Sequence, residues 1–459
     1  MNKFLNFLLM VVLTGCLSLT TVSCSNNDNP SSSQVTPPTP ETTDVFFSTE
    51  VNKLIDANYE QLKTKGWAEL RIPAALFDHT AFAIPSDAAG DIGYVINAGY
   101  EAYIYGGTIR DAVMGEAGND VDFVSNARPE QLEALVPNTK IFTAPNGYKV
   151  AQAWHGEEDR TDMGTMRAIY WYMRGKTGIP ESKYPVTGED INVYSDELWE
   201  DSYSRDLSIN GLYYDYKTGD LLDFHGGLHD LREGIIRTIV HPDIVFPHDA
   251  SALIRAVRFA GRFGFTIDEV TSAGIHKHLP ECDALGASGI AYDMIKGFHD
   301  GNMTVTYSLY KEYGFLGRYF LTLKDVLETA DYNNYAKKVY AYLDNQKCKV
   351  YAVTLGALFM PVMQKAMAGK EATAENVTAV WNELEKQSGQ SEKFEIPDAD
   401  KAAMCQVWNL VMQMMTDAVV DDAAKVAAIR ADAQFKNASL LLDALAEADS
   451  QLADFASFW

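Results

Sequence analysis

Two short stretches carry residues whose types and spacing suit phosphoryl chemistry. In Tyr103-Ile104-Tyr105-Gly106-Gly107-Thr108-Ile109-Arg110-Asp111 a strand-like run meets two glycines and then a helix start. Backbone amides at such a turn can approach a phosphate with no Cβ in the way, and Arg110 adds a planar fork of positive charge. Downstream, Asn119-Asp120-Val121-Asp122-Phe123 sets Asp120 and Asp122 two apart on a β-like run. Both carboxylates then emerge on one face while Val121 and Phe123 enter the core. Paired carboxylates beside a phosphate cradle meet the needs of Mg²⁺, which binds through one or two carboxylates plus substrate phosphates. Either stretch alone also describes a solvated strand end or an ordinary tight turn.

The elements that must position these residues follow from periodicity. Residues 46–76 repeat apolar positions at helical spacing, with Val51, Leu54, Ile55 and Leu62 on one face. Residues 100–240 alternate strand-like runs (YEAYIY, VDFV, KVAQAW, GLYYDY, DLLDF) with helix signals, and Lys217-Thr218-Gly219 reads as a hairpin turn. Beyond residue 245 the strand pattern stops. The segments 249–264, 303–323, 331–345, 349–368, 374–387, 399–417 and 421–447 all read as amphipathic helices. The expected fold class is α+β, a small mixed-sheet head followed by an all-helical body.

A second set of motifs gives the first its context. Ser204-Arg205-Asp206-Leu207-Ser208-Ile209-Asn210-Gly211 is followed by DLLDFHGGLHDLREGIIRTI and then by His248-Asp249-Ala250-Ser251-Ala252-Leu253-Ile254-Arg255-Ala256-Val257-Arg258-Phe259. Together with GGTIRD and NDVDF, and in that order, these resemble the class II tRNA nucleotidyltransferase and bacterial poly(A) polymerase family, over roughly residues 70–325. The resemblance implies a polymerase-β-like nucleotidyltransferase head (45–240, core from about 70), a helical RNA-binding-like neck (241–325) and a helical tail (326–459). It implies two Mg²⁺ ions on Asp120 and Asp122, with Asp206 as a third acidic group in catalysis. Gly106, Gly107, Arg110, Arg205, Asp249 and Arg255 fall on nucleotide-contacting positions. The implied reaction is attack of an RNA 3′-hydroxyl on the α-phosphate of ATP or CTP, releasing pyrophosphate. Asp162 is a candidate further strand carboxylate facing the site, although its segment EEDRTDMGTMR is polar and loop-like.

The chain departs from the family pattern where bases are chosen. The E-D-x-x-R motif becomes His248-Asp249-Ala250-Ser251-Ala252, and alanine cannot present the donor fork that reads a base edge. The spacing places His248, Ala252 and Arg255 on one helix face, continued by Arg258 and Arg262, so base selectivity should be relaxed. The first arginine of R-R-D is Ser204, and Gly211 replaces the usual alanine. His225 and His229 have metal-like spacing but flank a glycine pair and read as incidental. Met360, Met363, Met412, Met414 and Met415 read as helix core.

The N-terminus reads as an address. Met1-Asn2-Lys3 and the apolar run to Val22 form a secretion signal (1–23), and residues 24–44 are a Ser/Thr/Pro-rich tether. Leu13-Thr14-Gly15-Cys16 has the more usual lipoprotein letters. Thr21-Val22-Ser23-Cys24 has the better length, which favours lipidation at Cys24. An extracytoplasmic, membrane-anchored lipoprotein is expected, on the periplasmic or outer-surface side. The odd number of remaining cysteines (Cys282, Cys348, Cys405) leaves at least one unpaired. With 63 acidic against 38 basic residues and a formal charge of -25, the chain as a whole is not built to hold nucleic acid by neutralising phosphates. A local basic groove for an RNA 3′ end remains compatible with that total. Retention of the glycine, arginine and aspartate motifs favours a nucleotidyltransferase. The alternative is a non-catalytic lipid-anchored binding or structural protein on the same fold, favoured by the loss at Ala252, the acidity and the export signal.

Overall fold

The computed structural model describes residues 47–77, 82, 84–116, 121–143, 149–156, 159–168 and 194–459. The signal, the tether, both lipidation candidates and Asp120 lie outside the described residues. The head is one mixed sheet of eight strands in the order β1-β8-β7-β2-β3-β6-β5-β4. Its strands are β1 (Leu70–Ile72), β2 (Ala102–Tyr105), β3 (Phe123–Ser125), β4 (Thr139–Thr143), β5 (Lys149–Trp154), β6 (Arg160–Thr165), β7 (Leu212–Asp215) and β8 (Leu221–Asp223). All neighbours pair antiparallel except β3 and β6, which run parallel with Phe123 opposite Met163.

The helices that matter to the head are α1 (Thr49–Lys65), α2 (Ser86–Asn97), α3 (Gly107–Val113), α4 (Pro129–Leu135), α5 (Leu198–Ser202) and α6 (Gly227–Glu233). Helix α1 starts because the Ser48 hydroxyl accepts from the Val51 amide, and it stops at Gly66, whose φ of 72° ends the helix in the left-handed region. One sheet face packs into the continuous hydrophobic core through Ile104, Phe123 and Met163. The other face carries a smaller cluster of Tyr103, Val124, Met166, Tyr213, Leu222 and Phe224. That alternation along β2 and β3 is what the period of two requires.

At the end of the head, β9 (Ile235–Ile236) pairs parallel with β10 (Thr266–Ile267), and β10 is a short exception to the expected absence of strands beyond residue 245. Helices α7 (Pro242–His248), α8 (Ala250–Phe263), α9 (Glu269–His278), α10 (Gly286–Gly297) and α11 (Met303–Glu312) follow, and the body is helical to its end. Three expectations are corrected. The helix expected to reach residue 76 stops at Lys65, and β1 adds an edge to the sheet against β8. The 303–323 segment breaks at Gly314, where φ is 84°. The 421–447 segment is two helices, Ala423–Arg430 and Phe435–Ala448. The hairpin at 217–219 forms as read, with Asp215 Oδ1 accepting from the Lys217 and Thr218 amides and Gly219 at a φ of 79°. Cys282, Cys348 and Cys405 are free and buried, and Met360, Met363 and Met414 lie in the core. Among the described residues no helix is long and apolar enough to cross a membrane.

Candidate active site

Strand β2 ends at Gly106, whose φ of 73° and ψ of −130° suit a residue without a side chain. Its amide donates to the Leu212 carbonyl at 3.2 Å, which ties the turn to the residue after Gly211. Gly107 opens α3, and Arg110 leaves that helix into a slot between rings. The Arg110 guanidinium stands 4.3 Å from the Phe259 centroid and 5.4 Å from that of Phe263. It is 4 % exposed. Burial draws its pKa below the usual arginine value despite the neighbouring Asp111 carboxylate at 2.7 Å.

The sheet register brings the carboxylates together. Val121 and Phe123 are buried as the alternation requires, and half-buried Asp122 directly precedes β3. Asp162 occupies the matching position of the parallel strand β6, one residue before the Phe123–Met163 pair. In paired strands such positions share a face. Asp122, Asp162 and Tyr105 therefore belong to one side of the sheet. The segment around Asp162 is strand rather than loop: its inward residues are Thr161, Met163 and Thr165, and two threonines hide the apolar alternation. Arg160 Nε donates to Asp162 Oδ1 at 3.1 Å. Among the described residues no cluster of three metal-ligating side chains forms, and Asp120 is outside them. Acid oxygens on one face are nevertheless the donor type a hard divalent ion takes.

The Ser204–Gly211 motif is a hub of charge-assisted hydrogen bonds. Asp206 Oδ1 accepts from the Leu207 amide at 2.8 Å and from Asn210 Nδ2 at 2.9 Å, and its Oδ2 accepts from Arg255 Nε at 2.6 Å. Burial would raise the Asp206 pKa, but Arg255 and these donors outweigh it and hold it below the usual carboxylate value. Asn210 turns its other end to Arg110, whose Nη1 donates to Oδ1 at 2.6 Å. Asn210 thus joins Arg110 to Asp206 across a hundred residues of sequence. Arg205 lies 3.7 Å over the Tyr105 ring and pairs with buried Asp201 at 2.5 Å. Burial opposes its charge, yet Asp201 carries its pKa well above the usual value. Arg255 continues through Nη1 to Ser251 at 2.6 Å and Nη2 to Asp249 at 2.9 Å. Arg262 pairs with Glu116 and lies 3.4 Å from Asp111, while Arg258 sits 3.8 Å from Asp293 and 3.9 Å from Asp300.

Some expectations about this helix face change. His248 ends α7, and Asp249 is an extended residue (φ −139°) between α7 and α8, so His248 does not share a helix face with Ala252 and Arg255. Ala252 is fully buried. The hydroxyl of Ser204, at the lost arginine position, is buried with no hydrogen-bond partner among the described residues. His225 and His229 do not form a metal pair. His225 Nε2 meets the Ser202 hydroxyl at 2.8 Å, and His229 stacks on Tyr59 with centroids 3.5 Å apart. Sequence reasoning missed Asn210 and Asp201 as functional partners. The available signal was local: Asn210 lies in the same motif as Asp206, and Asp201 stands one helical turn before Arg205.

Residues 102–237 match the poly(A) polymerase head domain. The head is therefore a poly(A) polymerase head domain, and the chain is similar to poly(A) polymerases and CCA-adding enzymes. It is similar to poly(A) polymerase I of Haemophilus influenzae, 26% identical over 261 residues that cover 57% of each chain. It is 33% identical over 184 residues to the CCA-adding enzyme of Bacillus velezensis, covering 40% of this chain and 43% of that one. The chain thus spans about half the length of the curated relatives it matches. The fold likeness runs further. The Thermotoga maritima CCA-adding enzyme complexed with tRNA superposes with a TM-score of 0.52 at 15% identity, over 84% of this chain and 85% of that one. The poly(A) polymerase head domain begins with β2, so α1 and β1 precede the matched segment.

Proposed function

We propose that this protein transfers AMP or CMP from ATP or CTP to an RNA 3′-hydroxyl. The observation that supports this most is the hub in which Arg110 from the glycine turn, Asp206 and Asn210 from the second motif, and Arg255 from α8 meet through hydrogen bonds of 2.6–2.9 Å. Residues widely separated in sequence converge on the glycine turn that the resemblance marks as nucleotide-contacting. In the reaction the 3′-oxygen forms a bond to the α-phosphorus, the bond from that phosphorus to the β-phosphate bridge breaks, and pyrophosphate leaves. Asp120 and Asp122 would hold two Mg²⁺ ions, with Asp162 on the same sheet face. Bound there, the ions favour ionisation of the attacking hydroxyl and neutralise charge on the leaving phosphates. Gly106 and Gly107 let the backbone approach the phosphates, and Arg110 and Arg205 border them. Asp206 acts on catalysis by orienting Arg255 and Asn210, since its oxygens are taken by those donors.

Base choice is relaxed in this reading. Asp249, with a side chain 45% exposed, offers acceptor oxygens, while the arginine that would complete the fork is Ala252. The protein works outside the cytoplasm on a lipid anchor at Cys24, where its RNA acceptor would also have to be.

The test is incubation of the purified protein with labelled ATP, CTP, GTP or UTP and RNA acceptors in Mg²⁺ or Mn²⁺. Metal-dependent extension of the RNA is expected, with weak preference among the four, and it should vanish in an Asp120→Ala, Asp122→Ala double variant. Extension undiminished in that variant would remove the carboxylates from the mechanism. Labelled palmitate should appear on the parent protein and not on Cys24→Ala. Label lost in Cys16→Ala instead would move the anchor, and an unlabelled cytoplasmic protein would end the extracytoplasmic reading.

A further inference from the structure

Helix α1 precedes the matched head-domain segment, yet it is linked through intervening residues to the turn that presents Asn210. Two paths lead there. The polar path starts at Tyr59 on α1, whose hydroxyl accepts from Arg237 Nη2 at 3.1 Å. Arg237 also donates to both oxygens of Asp230 at 3.1 Å each, and the Ser208 hydroxyl donates to Asp230 Oδ2 at 2.6 Å. Ser208 opens the single 3₁₀ turn Ser208–Asn210. The backbone of the same turn is tied to the same arginine, because the Ser208 amide donates to the Arg237 carbonyl at 2.9 Å.

The second path is steric. Gly226 has a φ of 75°, and a Cβ there would stand 3.2 Å from both Leu62 and Tyr59 of α1. Its neighbour Gly227 presses on the 208–210 turn so closely that a Cβ would lie 2.2 Å from the Ser208 carbonyl oxygen. Helix α1, the Gly226-Gly227 turn and the Asn210 turn therefore form a stack without slack. The plain role for α1 is to cover the core with Val51 and Ile55, which are buried. Tyr59 is not needed for that. Its ring lies on His229 with planes 9° apart, and Arg232 fixes the helix beside it through Asn52 and Asp56 at 3.0 and 2.6 Å.

We infer that Tyr59 is a positioning residue for Asn210, and that α1 is a strap holding the Arg110–Asn210–Asp206 hub in place. The kinetic part of this inference rests on the transfer reading above, and the structural part does not. A one-turn 3₁₀ segment has few hydrogen bonds of its own, so its side-chain and packing supports set how well Asn210 stays aimed.

The test compares the full-length parent with Tyr59→Phe, Tyr59→Ala and, as a control on the exposed face of α1, Lys53→Ala. Tyr59→Phe keeps the ring stack and the contact with Gly226 but removes the acceptor for Arg237. Backbone amides of residues 207–211 should exchange with solvent about fivefold faster in Tyr59→Phe, less than the full loss of a hydrogen bond to a charged group because Arg237 keeps Asp230, and faster still in Tyr59→Ala. Transfer by Tyr59→Phe should show kcat lowered by about the same factor at an unchanged folded fraction, with Lys53→Ala like the parent. A helix that merely covers the core would loosen only its own amides. Unchanged exchange at 207–211 in both Tyr59 variants overturns the strap, and so does faster exchange with kcat unchanged in an active parent. A parent that transfers nothing overturns the transfer reading instead, and exchange at 207–211 then decides the strap by itself.

Discussion

Asn210→Ala is the substitution with the clearest predicted magnitude. Asn210 is 9 % exposed and makes two hydrogen bonds to charged groups, accepting from Arg110 at 2.6 Å and donating to Asp206 at 2.9 Å. Bonds of that kind contribute about 1.5–3 kcal/mol each. Both partners keep other contacts: Arg110 keeps Asp111, and Asp206 keeps Arg255 and the Leu207 amide. The two losses also share one side chain and will not add fully. We therefore expect about 2–4 kcal/mol of destabilisation in the head, a large part of the ~5–15 kcal/mol typical of a domain. Asn210→Asp separates the two bonds. It keeps an acceptor for Arg110, removes the donor to Asp206 and places a like charge beside it, so it should be destabilised as well, with the loss relieved as pH falls and a carboxyl protonates. The assay is urea unfolding followed through the head tryptophans, with ATP binding measured on the folded protein. If both variants unfold within about 0.5 kcal/mol of the parent, the hub is not what holds these motifs together.

Three further outcomes follow from individual side chains. Burial pushes the His225 pKa down to about 3 in the folded chain, so the unfolded chain takes up the proton first as pH falls below about 6.5; stability should be undiminished above that pH and lower by up to about 2 kcal/mol at pH 5. His225→Asn should flatten that dependence in unfolding titrations. Gly227→Ala should cost about 3 kcal/mol or more, because its Cβ would sit 2.2 Å from a backbone oxygen that cannot swing away; a thermal midpoint equal to the parent's would show that the turn has room. Ala252→Arg puts a guanidinium where the parent has no exposed surface, and about 3–5 kcal/mol should be lost; a fully stable variant with sharpened choice among nucleotides would show instead that this helix face opens to the base.

The legible parts of the molecule were those whose signals are local. Alternation in YEAYIY and VDFV, the Gly106 turn and the 217–219 hairpin each depend on residues within a few positions of one another, and the structure keeps them. Strand β6 is only faintly legible because Thr161 and Thr165 take inward positions that an apolar residue would announce. The start of α8 is legible at 249, but the turn that takes His248 off that helix's face is not. The change of direction comes from the non-helical backbone at Asp249 after Pro247. The arginines of the site were identifiable by type and order, but not their partners. Arg110 meets Asn210, and Arg255 meets Asp206, only because the sheet and α8 fold onto each other.

Those partners change what the arginines could do for an RNA under the proposed transfer reading. Arg110, Arg205, Arg255, Arg258 and Arg262 face Asp111, Asp201, Asp206, Asp249, Asp293, Asp300 and Glu116. A guanidinium already compensated by a carboxylate displaces few counterions when a phosphate arrives. If all five neutralised phosphates on a single strand, log K would fall with log [salt] at a slope of about −3.5, from about −0.7 per contact. With the pairs kept, no more than about two contacts should remain, and the slope should be no steeper than about −1.4. Fluorescence anisotropy of a labelled RNA across ~50–200 mM salt measures it directly. A slope steeper than about −3 would mean that the pairs open on binding and that the cleft is a basic groove after all. A shallow slope would fit the proposed transfer reading with the RNA held by stacking and shape rather than by these arginines.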